Sequence, residues 1–211
     1  MLNSFVRKAY LSFFLLVFIG SPSFADRIFL LPTAYTLRLG ELRLEALVFG
    51  EETEKSLSFV QMGVLPFMEL QVTREEFPGK RPSVSANFLY SVSQPIPDYF
   101  PGVAVGILDV FNETESERSL FAALTWQSLV YSDWADTESS SFTIGIGTGR
   151  LKDGIFISTS LPMYKGITFF GEYDTKIMTA GFDITAFRNT AFRIAFRDGD
   201  PLFGFQFVKH L

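Results

Sequence analysis

The sequence predicts an all-β protein, an antiparallel meander closed into a transmembrane β-barrel of about 12 strands, with a range of 10 to 14. From about Glu41 to the C-terminus, apolar and polar residues alternate, and turn residues recur every dozen or so positions. Alternation gives a strand one face for apolar surroundings and one for polar surroundings. Connections this short allow only antiparallel neighbours, because parallel strands need longer crossovers. A long meander must close or bury its edges.

The N-terminal 25 residues have the pattern of a secretory signal peptide. Arg7 and Lys8 precede an apolar run, and the small-residue site Ser23-Phe24-Ala25 ends it. The run is shorter than the roughly 18 apolar residues of a spanning helix, although an uncleaved anchor helix is the alternative. The predicted domains are therefore a signal peptide at 1–25, a lead-in segment at 26–40 and a β-barrel at 41–211. The predicted location is the outer membrane.

Composition excludes several classes of protein. The chain has no cysteine, so neither a disulfide nor a lipid-carrying cysteine is available. A formal net charge of -5 argues against a nucleic-acid partner, which needs a basic surface. The length after the signal peptide suits one domain.

Alternation and turn chemistry divide the chain after residue 40 into strand-like segments. The segments are 41–49, 56–64, 67–75, 83–92, 103–111, 119–128, 141–149, 154–161, 166–173, 176–185, 190–197 and 202–211. Connections such as Pro78-Gly79 and Asp198-Gly199 have typical turn residues. With both termini periplasmic, the long connections 93–102 and 129–140 fall where such barrels usually have short turns. An additional strand at 27–31 is one way to resolve this conflict.

Two features favour a membrane barrel over a soluble one. The polar faces are rich in small residues, as a narrow lumen requires: Ser83, Ser85, Gly145, Gly147, Ser158, Ser160 and Gly204. Aromatic residues lie near segment ends, where interfacial girdles form: Phe49, Phe67, Tyr99, Phe100, Phe111, Tyr131, Trp134, Tyr164 and Tyr173. The alternative is a soluble periplasmic β-barrel that binds an apolar ligand, with Phe192, Ile194 and Phe196 lining its pocket.

The alternation also assigns side chains to the two faces of the barrel. The predicted lumen charge network consists of Glu41, Arg43, Glu45, Glu69, Glu172, Asp183, Arg193 and Arg197. The predicted lipid-facing residues are Phe88, Phe182, Phe192, Ile194, Phe196 and Phe205. Arg193 and Arg197 share one face of a strand, so both should point inward and meet carboxylates of the network. Buried guanidinium groups without partners would be costly.

Three stretches resemble the YjbH-like outer-membrane proteins linked to exopolysaccharide production. Leu31-Pro32-Thr33-Ala34 through Gly40-Glu41 is similar to their opening "P-(S/T)-A...L..G". Residues 100–109 resemble their "P.vAvG..D" strand, and residues 171–176 resemble "EYD.k". The resemblance implies an outer-membrane barrel whose partners are membrane lipid, the barrel-insertion machinery and a polysaccharide or its export apparatus.

Catalytic chemistry has little support in the sequence. His210 is the single histidine, so a Ser-His-Asp triad or a two-histidine zinc site would have to use it. The glycines at 145–149 lack the spacing of a dinucleotide-binding loop. The sequence therefore predicts a non-enzymatic barrel of structural, transport or secretion-accessory type with no cofactor and no metal. An enzyme that depends on His210 is the remaining alternative.

The segment near 176–185 offers a test of face assignment. We expect Phe182→Arg to reduce the amount of membrane-inserted, heat-modifiable protein, since arginine in lipid costs roughly 2–4 kcal/mol near the midplane. Gly181→Ser should be tolerated as a small lumen substitution, unless the glycine permits close backbone packing. Equal assembly of Phe182→Arg and the parent would contradict the assignment.

Overall fold

The computed structural model describes residues 30–50, 55–114, 117–132 and 135–211, excluding the side chains of 131–138. The predicted signal peptide and the beginning of the lead-in segment lie outside this range. Twelve strands form a closed barrel in which each strand pairs antiparallel with its neighbours in sequence, and β1 pairs with β12. The predicted fold class and strand number are confirmed. Within the described residues, no helix is long and apolar enough to cross a membrane.

Apart from the sixth and the seventh, the strands lie close to the predicted segments. They are β1 Glu41–Phe49, β2 Ser56–Leu65, β3 Met68–Glu76, β4 Ser83–Ser93, β5 Gly102–Leu108, β6 Ser119–Ser132, β7 Ala135–Gly147, β8 Gly154–Tyr164, β9 Ile167–Tyr173, β10 Met178–Phe187, β11 Thr190–Arg197 and β12 Asp200–His210. One turn of 3-10 helix, Gly149–Leu151, lies between β7 and β8.

The two ends of the barrel have connections of different length. We call the end where β1 begins and β12 ends the terminal end, and the opposite one the distal end. The predicted long connection at 129–140 is wrong, because β6 extends to Ser132 and β7 begins at Ala135. Ser139, Ser140 and Ser141 pair with Leu129, Ser128 and Gln127 in the barrel ladder. Pairing between β6 and β7 thus decides the structure of this stretch, where local sequence preference is weak. The long connection 94–101 is present at the terminal end.

Burial alternates along the strands as the sequence pattern requires. In β11, Ala191, Arg193 and Ala195 are buried inside, whereas Phe192, Ile194 and Phe196 are exposed on the outer surface. The soluble alternative expected these last three residues to line an internal pocket. Their outward orientation contradicts that expectation.

Gly181 is a site of close packing within the barrel wall. A Cβ atom at this position would lie 2.3 Å from the carbonyl oxygen of Ile194 and 2.5 Å from Cβ of Ala195. Both neighbours belong to the paired strand β11, so neither can move without disturbing the ladder. Close packing was the stated exception to the predicted tolerance of Gly181→Ser, so we expect this substitution to disturb the wall. It is therefore a poor control for Phe182→Arg.

Asp109 organises the distal connection between β5 and β6. Its carboxylate accepts hydrogen bonds from the backbone N–H groups of Glu113 and Thr114, at 2.9 and 2.8 Å, and from the Thr114 hydroxyl at 2.6 Å. Burial alone raises the pKa of Asp109. The bonds from Thr114 and Glu113, with the charge of Arg150, outweigh that effect and hold this pKa below its ordinary value. The ionised carboxylate is thus the form that stabilises the loop.

We expect Asp109→Ala to destabilise this connection by roughly 1–3 kcal/mol, because three hydrogen-bond donors lose their acceptor. Trypsin cleavage after the exposed Arg118 should be faster in the variant, and Glu113→Ala is the matched control. Because the folded pKa is lowered, the stabilisation is full above the unfolded pKa of about 3.9 and is lost as pH falls through the folded pKa. Acid-protease cleavage of the parent loop should therefore rise only below about pH 4. Unchanged trypsin cleavage in Asp109→Ala would contradict this role.

Candidate functional site

We call residues 30–40 the lumen segment, because residues 30–37 are buried or half-buried inside the barrel and Arg38 and Leu39 emerge exposed at its terminal end. Leu31, Ala34 and Leu37 in this segment are each at most 2% exposed. The segment begins beside Glu172, near the distal end of β9, and reaches Glu69, at the terminal end of β3. It then continues into β1. The described part of the predicted lead-in segment therefore crosses most of the height of the barrel and fills its centre.

Three carboxylates of the barrel hold the backbone of the lumen segment. Both oxygens of Glu172 accept from the N–H of Leu30, at 2.9 and 3.0 Å, and one also accepts from the N–H of Leu31 at 3.3 Å. Glu69 accepts from the N–H of Leu37 at 3.1 Å. Glu41 accepts from the N–H of Arg38 at 3.0 Å. Each of these N–H groups lies outside a strand ladder and would lack an acceptor without the side chain that it binds.

Hydroxyl groups bind the middle of the lumen segment. Thr125 accepts from the backbone N–H of Ala34 at 2.9 Å and lies 2.9 Å from the hydroxyl of Thr143. Ser91 donates to the carbonyl of Ala34 at 2.9 Å. A segment without regular structure can be buried only when wall side chains satisfy its backbone groups, and these residues do so here.

Apolar side chains fill the distal half of the lumen around the beginning of the segment. One apolar cluster contains Leu47, Phe49, Leu57, Phe59, Phe170, Ala195 and Leu202, and Leu30 packs against it. The other contains Leu31, Ala34, Leu89, Ala104, Leu108, Phe121, Ala123, Leu151 and Phe156. Gly145 makes room for Phe156, since a Cβ atom there would lie 2.1 Å from the aromatic ring. The sequence analysis assigned Gly145 to the lining of a narrow lumen. In the structure, the absence of a side chain at this glycine leaves the space that the Phe156 ring occupies.

Gly63 allows the end of the lumen segment to lie directly against the barrel wall. Leu39 forms a parallel bridge with Gly63, and the N–H of Gly40 donates to its carbonyl at 2.9 Å. A Cβ atom at position 63 would lie only 2.0 Å from the carbonyl oxygen of Arg38. Any side chain here is incompatible with the observed position of the segment.

Arg193 on β11 is the centre of a buried ionic network that joins β10 and β1. Its guanidinium forms two bonds to Asp183, of 2.6 and 2.7 Å, and one of 2.7 Å to Glu45. The guanidinium carbon also lies 4.8 Å from the centre of the Phe170 ring. Only 4% of the Arg193 side chain is exposed, so these partners compensate the lost hydration of the charge.

The structure places the predicted charged residues as follows. Glu41, Arg43, Glu45, Glu69, Glu172 and Arg193 are buried in the lumen, and Asp183 and Arg197 are partly buried on the same face. Arg197 binds Asp174 at 3.2 Å, a partner outside the predicted set. Asp174 lies in the turn after β9, and an assignment based on strand parity considers no turn residue. The ion pair between Arg150 and Glu75, at 2.8 Å, was missed for the same reason.

The outer surface carries the predicted apolar residues. Phe182, Phe192, Ile194, Phe196 and Phe205 are exposed, and Phe88 is half-buried.

Exposed aromatic residues lie near both ends of the barrel. Phe67, Tyr99, Phe100 and Tyr164 are near the terminal end, and Phe111 and Tyr173 near the distal end. The girdle prediction is wrong for Phe49, which points inward, with the ammonium of Lys55 4.4 Å from its ring centre. Its position after Val48 gives it inward parity, which proximity to a strand end does not reveal. Trp134 and the side chain of Tyr131 lie outside the described part.

His210 lies at the terminal rim. Its side chain is exposed, and Nδ1 is 3.0 Å from the carbonyl oxygen of the neighbouring Leu211. Among the described residues, no three His, Asp or Glu side chains are arranged to hold a metal ion.

No family model and no curated protein matches the chain. Among solved structures, one described as "NanC porin structure in rhombohedral crystal form" is similar, with 8% identity and a TM-score of 0.49. The similarity covers 81% of this chain and 99% of that chain. A similarity of this size carries no argument about fold or function.

We expect Gly63→Ala to displace the lumen segment or destabilise the barrel by roughly 1–3 kcal/mol, because the new methyl group overlaps the Arg38 carbonyl. Gly171→Ala is the control, since a Cβ atom there would meet Thr159 at an ordinary 3.6 Å. The temperature at which each detergent-solubilised variant loses its heat-modifiable form would be measured. Equal temperatures for both variants would contradict close packing of the segment on Gly63.

Proposed function

We propose that this chain is a non-enzymatic β-barrel of the bacterial outer membrane, of transport or exopolysaccharide-secretion-accessory type, whose lumen its own N-terminal segment closes. The observation that carries the proposal is the distribution of side chains between the two faces of the wall. Large apolar residues cover the outside, while the strand carboxylates and guanidinium groups of the predicted network point inside.

The exterior is suited to lipid. Exposed apolar residues occur on all sides of the ring, including Val60 on β2, Leu70 on β3, Leu124 on β6, Ile157 on β8 and Phe203 on β12. Soluble monomers rarely expose continuous apolar patches larger than a few hundred Å². A closed ring with such residues on its strands would expose far more in water. Lipid removes that cost, and the barrel has no unpaired strand edge to prevent insertion.

The connections support an orientation. Apart from 94–101, the connections at the terminal end contain two residues, as at 165–166 and 188–189. The distal connections contain four to ten residues, as at 109–118, except 198–199, which also contains two. Outer-membrane barrels have short periplasmic turns and longer external loops. We therefore infer that the terminal end faces the periplasm and the distal end faces the exterior.

The role in polysaccharide secretion is supported by the sequence resemblance alone, yet its three stretches meet in space. Residues 31–41 contain most of the lumen segment, and residues 171–176 contain Glu172, which binds its beginning. Residues 100–109 contain Ala104, which packs in one cluster with Leu31 and Ala34. The three stretches that resemble the YjbH-like proteins therefore include the parts of the chain that close the lumen. This placement is expected if those proteins and this chain share a closed lumen.

A pair of arginine substitutions at different depths tests the membrane location. Phe182 is in the middle of β10, whereas Phe187 is its last residue and is 70% exposed. We expect Phe182→Arg to reduce insertion at a cost of roughly 2–4 kcal/mol and Phe187→Arg to cost about 0–1 kcal/mol, because the penalty falls toward the interface. Heat-modifiable protein in the outer-membrane fraction would be compared with the parent. Recovery of the parent in the soluble periplasmic fraction without detergent would refute the membrane location.

A further inference from the structure

We propose that the lumen segment is a releasable gate and that the passage it closes favours small cations over anions. This inference rests on the proposed membrane location and adds a regulation and a substrate class to it.

Release of the segment leaves the barrel wall intact. Each of the twelve strands has both of its neighbours without any contribution from residues 30–38. The backbone of the segment is bound by side chains of the wall: Glu172 at its beginning, Thr125 and Ser91 in its middle, and Glu69 near its end. Its apolar side chains pack against the two clusters without belonging to the strand ladder. Water can replace these hydrogen bonds when the segment withdraws, so opening needs no strand separation.

Among the described residues, the covalent connection between the segment and the wall is the one at the terminal end, where the segment continues into β1. Gly40 pairs with Gly63 and leads directly into β1 at the terminal end. The beginning of the segment is held near the distal end by the three hydrogen bonds to Glu172. Glu172 is therefore the contact whose loss would free the segment at the end away from its covalent attachment.

The charges of the described lumen wall favour cations. Carboxylates on the inward face of the strands outnumber arginines seven to three: Glu41, Glu45, Glu69, Glu75, Glu172, Asp183 and Asp200 against Arg43, Arg193 and Arg197. Arg150, outside the strands, is paired with Glu75, and carboxylates remain in excess when it is included. Arg193 is already bound by two of these carboxylates. When the segment leaves, Glu172 and Glu69 lose their backbone donors and face the passage. Rings of carboxylates attract cations and exclude anions from narrow pores.

The size of the passage limits its occupant. Phe59, Phe121, Phe156 and Phe170 belong to the wall and remain in the distal half after release. The hydroxyls of Ser85 and Ser141 lie in the lumen and have no hydrogen-bond partner among the described residues, so they can bind a hydrated ion. A polar wall narrowed by aromatic rings suits a small hydrated cation such as K⁺ and excludes a bulky solute.

The gate can be tested by conductance in planar lipid bilayers with KCl. The purified full-length parent should be mostly closed. We expect Glu172→Gln to raise the open probability by roughly tenfold, since glutamine keeps one acceptor oxygen where Glu172 uses two for the backbone of the segment. Ser158→Ala is the matched control, because Ser158 is paired with Glu172 in the barrel ladder but does not bind the segment. Deletion of residues 30–38 should give a constantly open pore.

Selectivity would be measured on the same channels. Under a KCl gradient, the reversal potential of the open Glu172→Gln channel and of the deletion variant should shift toward the potassium equilibrium potential. A shift toward chloride, or none, would overturn the cation preference. Conductance of the parent equal to that of Glu172→Gln and the deletion variant would overturn the gate.

A second measurement keeps the gate falsifiable if the deletion variant does not fold. The chain has no cysteine, so Thr33→Cys introduces a single thiol into the buried segment. A polar maleimide should label it slowly in the parent background and several times faster with Glu172→Gln. Equal labelling rates would overturn release through Glu172. Heat modifiability of each variant reports membrane insertion separately, so failure of the gate can be distinguished from failure of the proposed function.

Discussion

Closure of twelve strands into one ring is the constraint on which the remaining structure depends. Pairing of β1 with β12 gives every strand two neighbours and removes the unpaired edges of the sheet. It also encloses an interior wider than that of a small eight-stranded barrel, whose inward side chains suffice to fill it. Here the chain supplies additional material from residues 30–40. The polar wall around that segment then has to satisfy its backbone, which explains the inward positions of Glu172, Glu69 and Thr125.

Strand parity explains why much of this arrangement could be predicted from sequence. Alternation is a local property, so Arg193 and Phe192 could be assigned to opposite faces without knowledge of the register. Apart from the end of β6 and the beginning of β7, the predicted strands also begin and end close to the observed ones, because Gly, Pro and Asp mark most turns. The pairing of Arg193 with Glu45 involves the first and the second-last strands. Parity predicted only that such carboxylates share its face, not which of them it binds.

Other features could not be predicted because they depend on how distant segments meet. Nothing in the local pattern of residues 30–40 shows that they enter a lumen, since they lack alternation. Phe49 is different, because the parity of β1 alone places it inward and the proximity of a strand end was given too much weight. Close packing at Gly181 was left open as an exception, and the sequence pattern gave no sign of it at Gly63. Neither position has room for a Cβ atom, because the carbonyl oxygen of Ile194 lies against Gly181 and that of Arg38 lies against Gly63. Both oxygens belong to residues that are distant in sequence.

Placement of the lumen segment ahead of β1 has a consequence for assembly. The final pairing joins β1 to β12, so the ring closes only after the last strand is available. Contacts between such distant parts of a chain form slowly, because a large loop must be ordered first. The segment precedes β1 and lies within the closed ring, so the wall must form around it or admit it through an open mouth. Folding order therefore decides whether the newly made barrel is filled from the moment it closes.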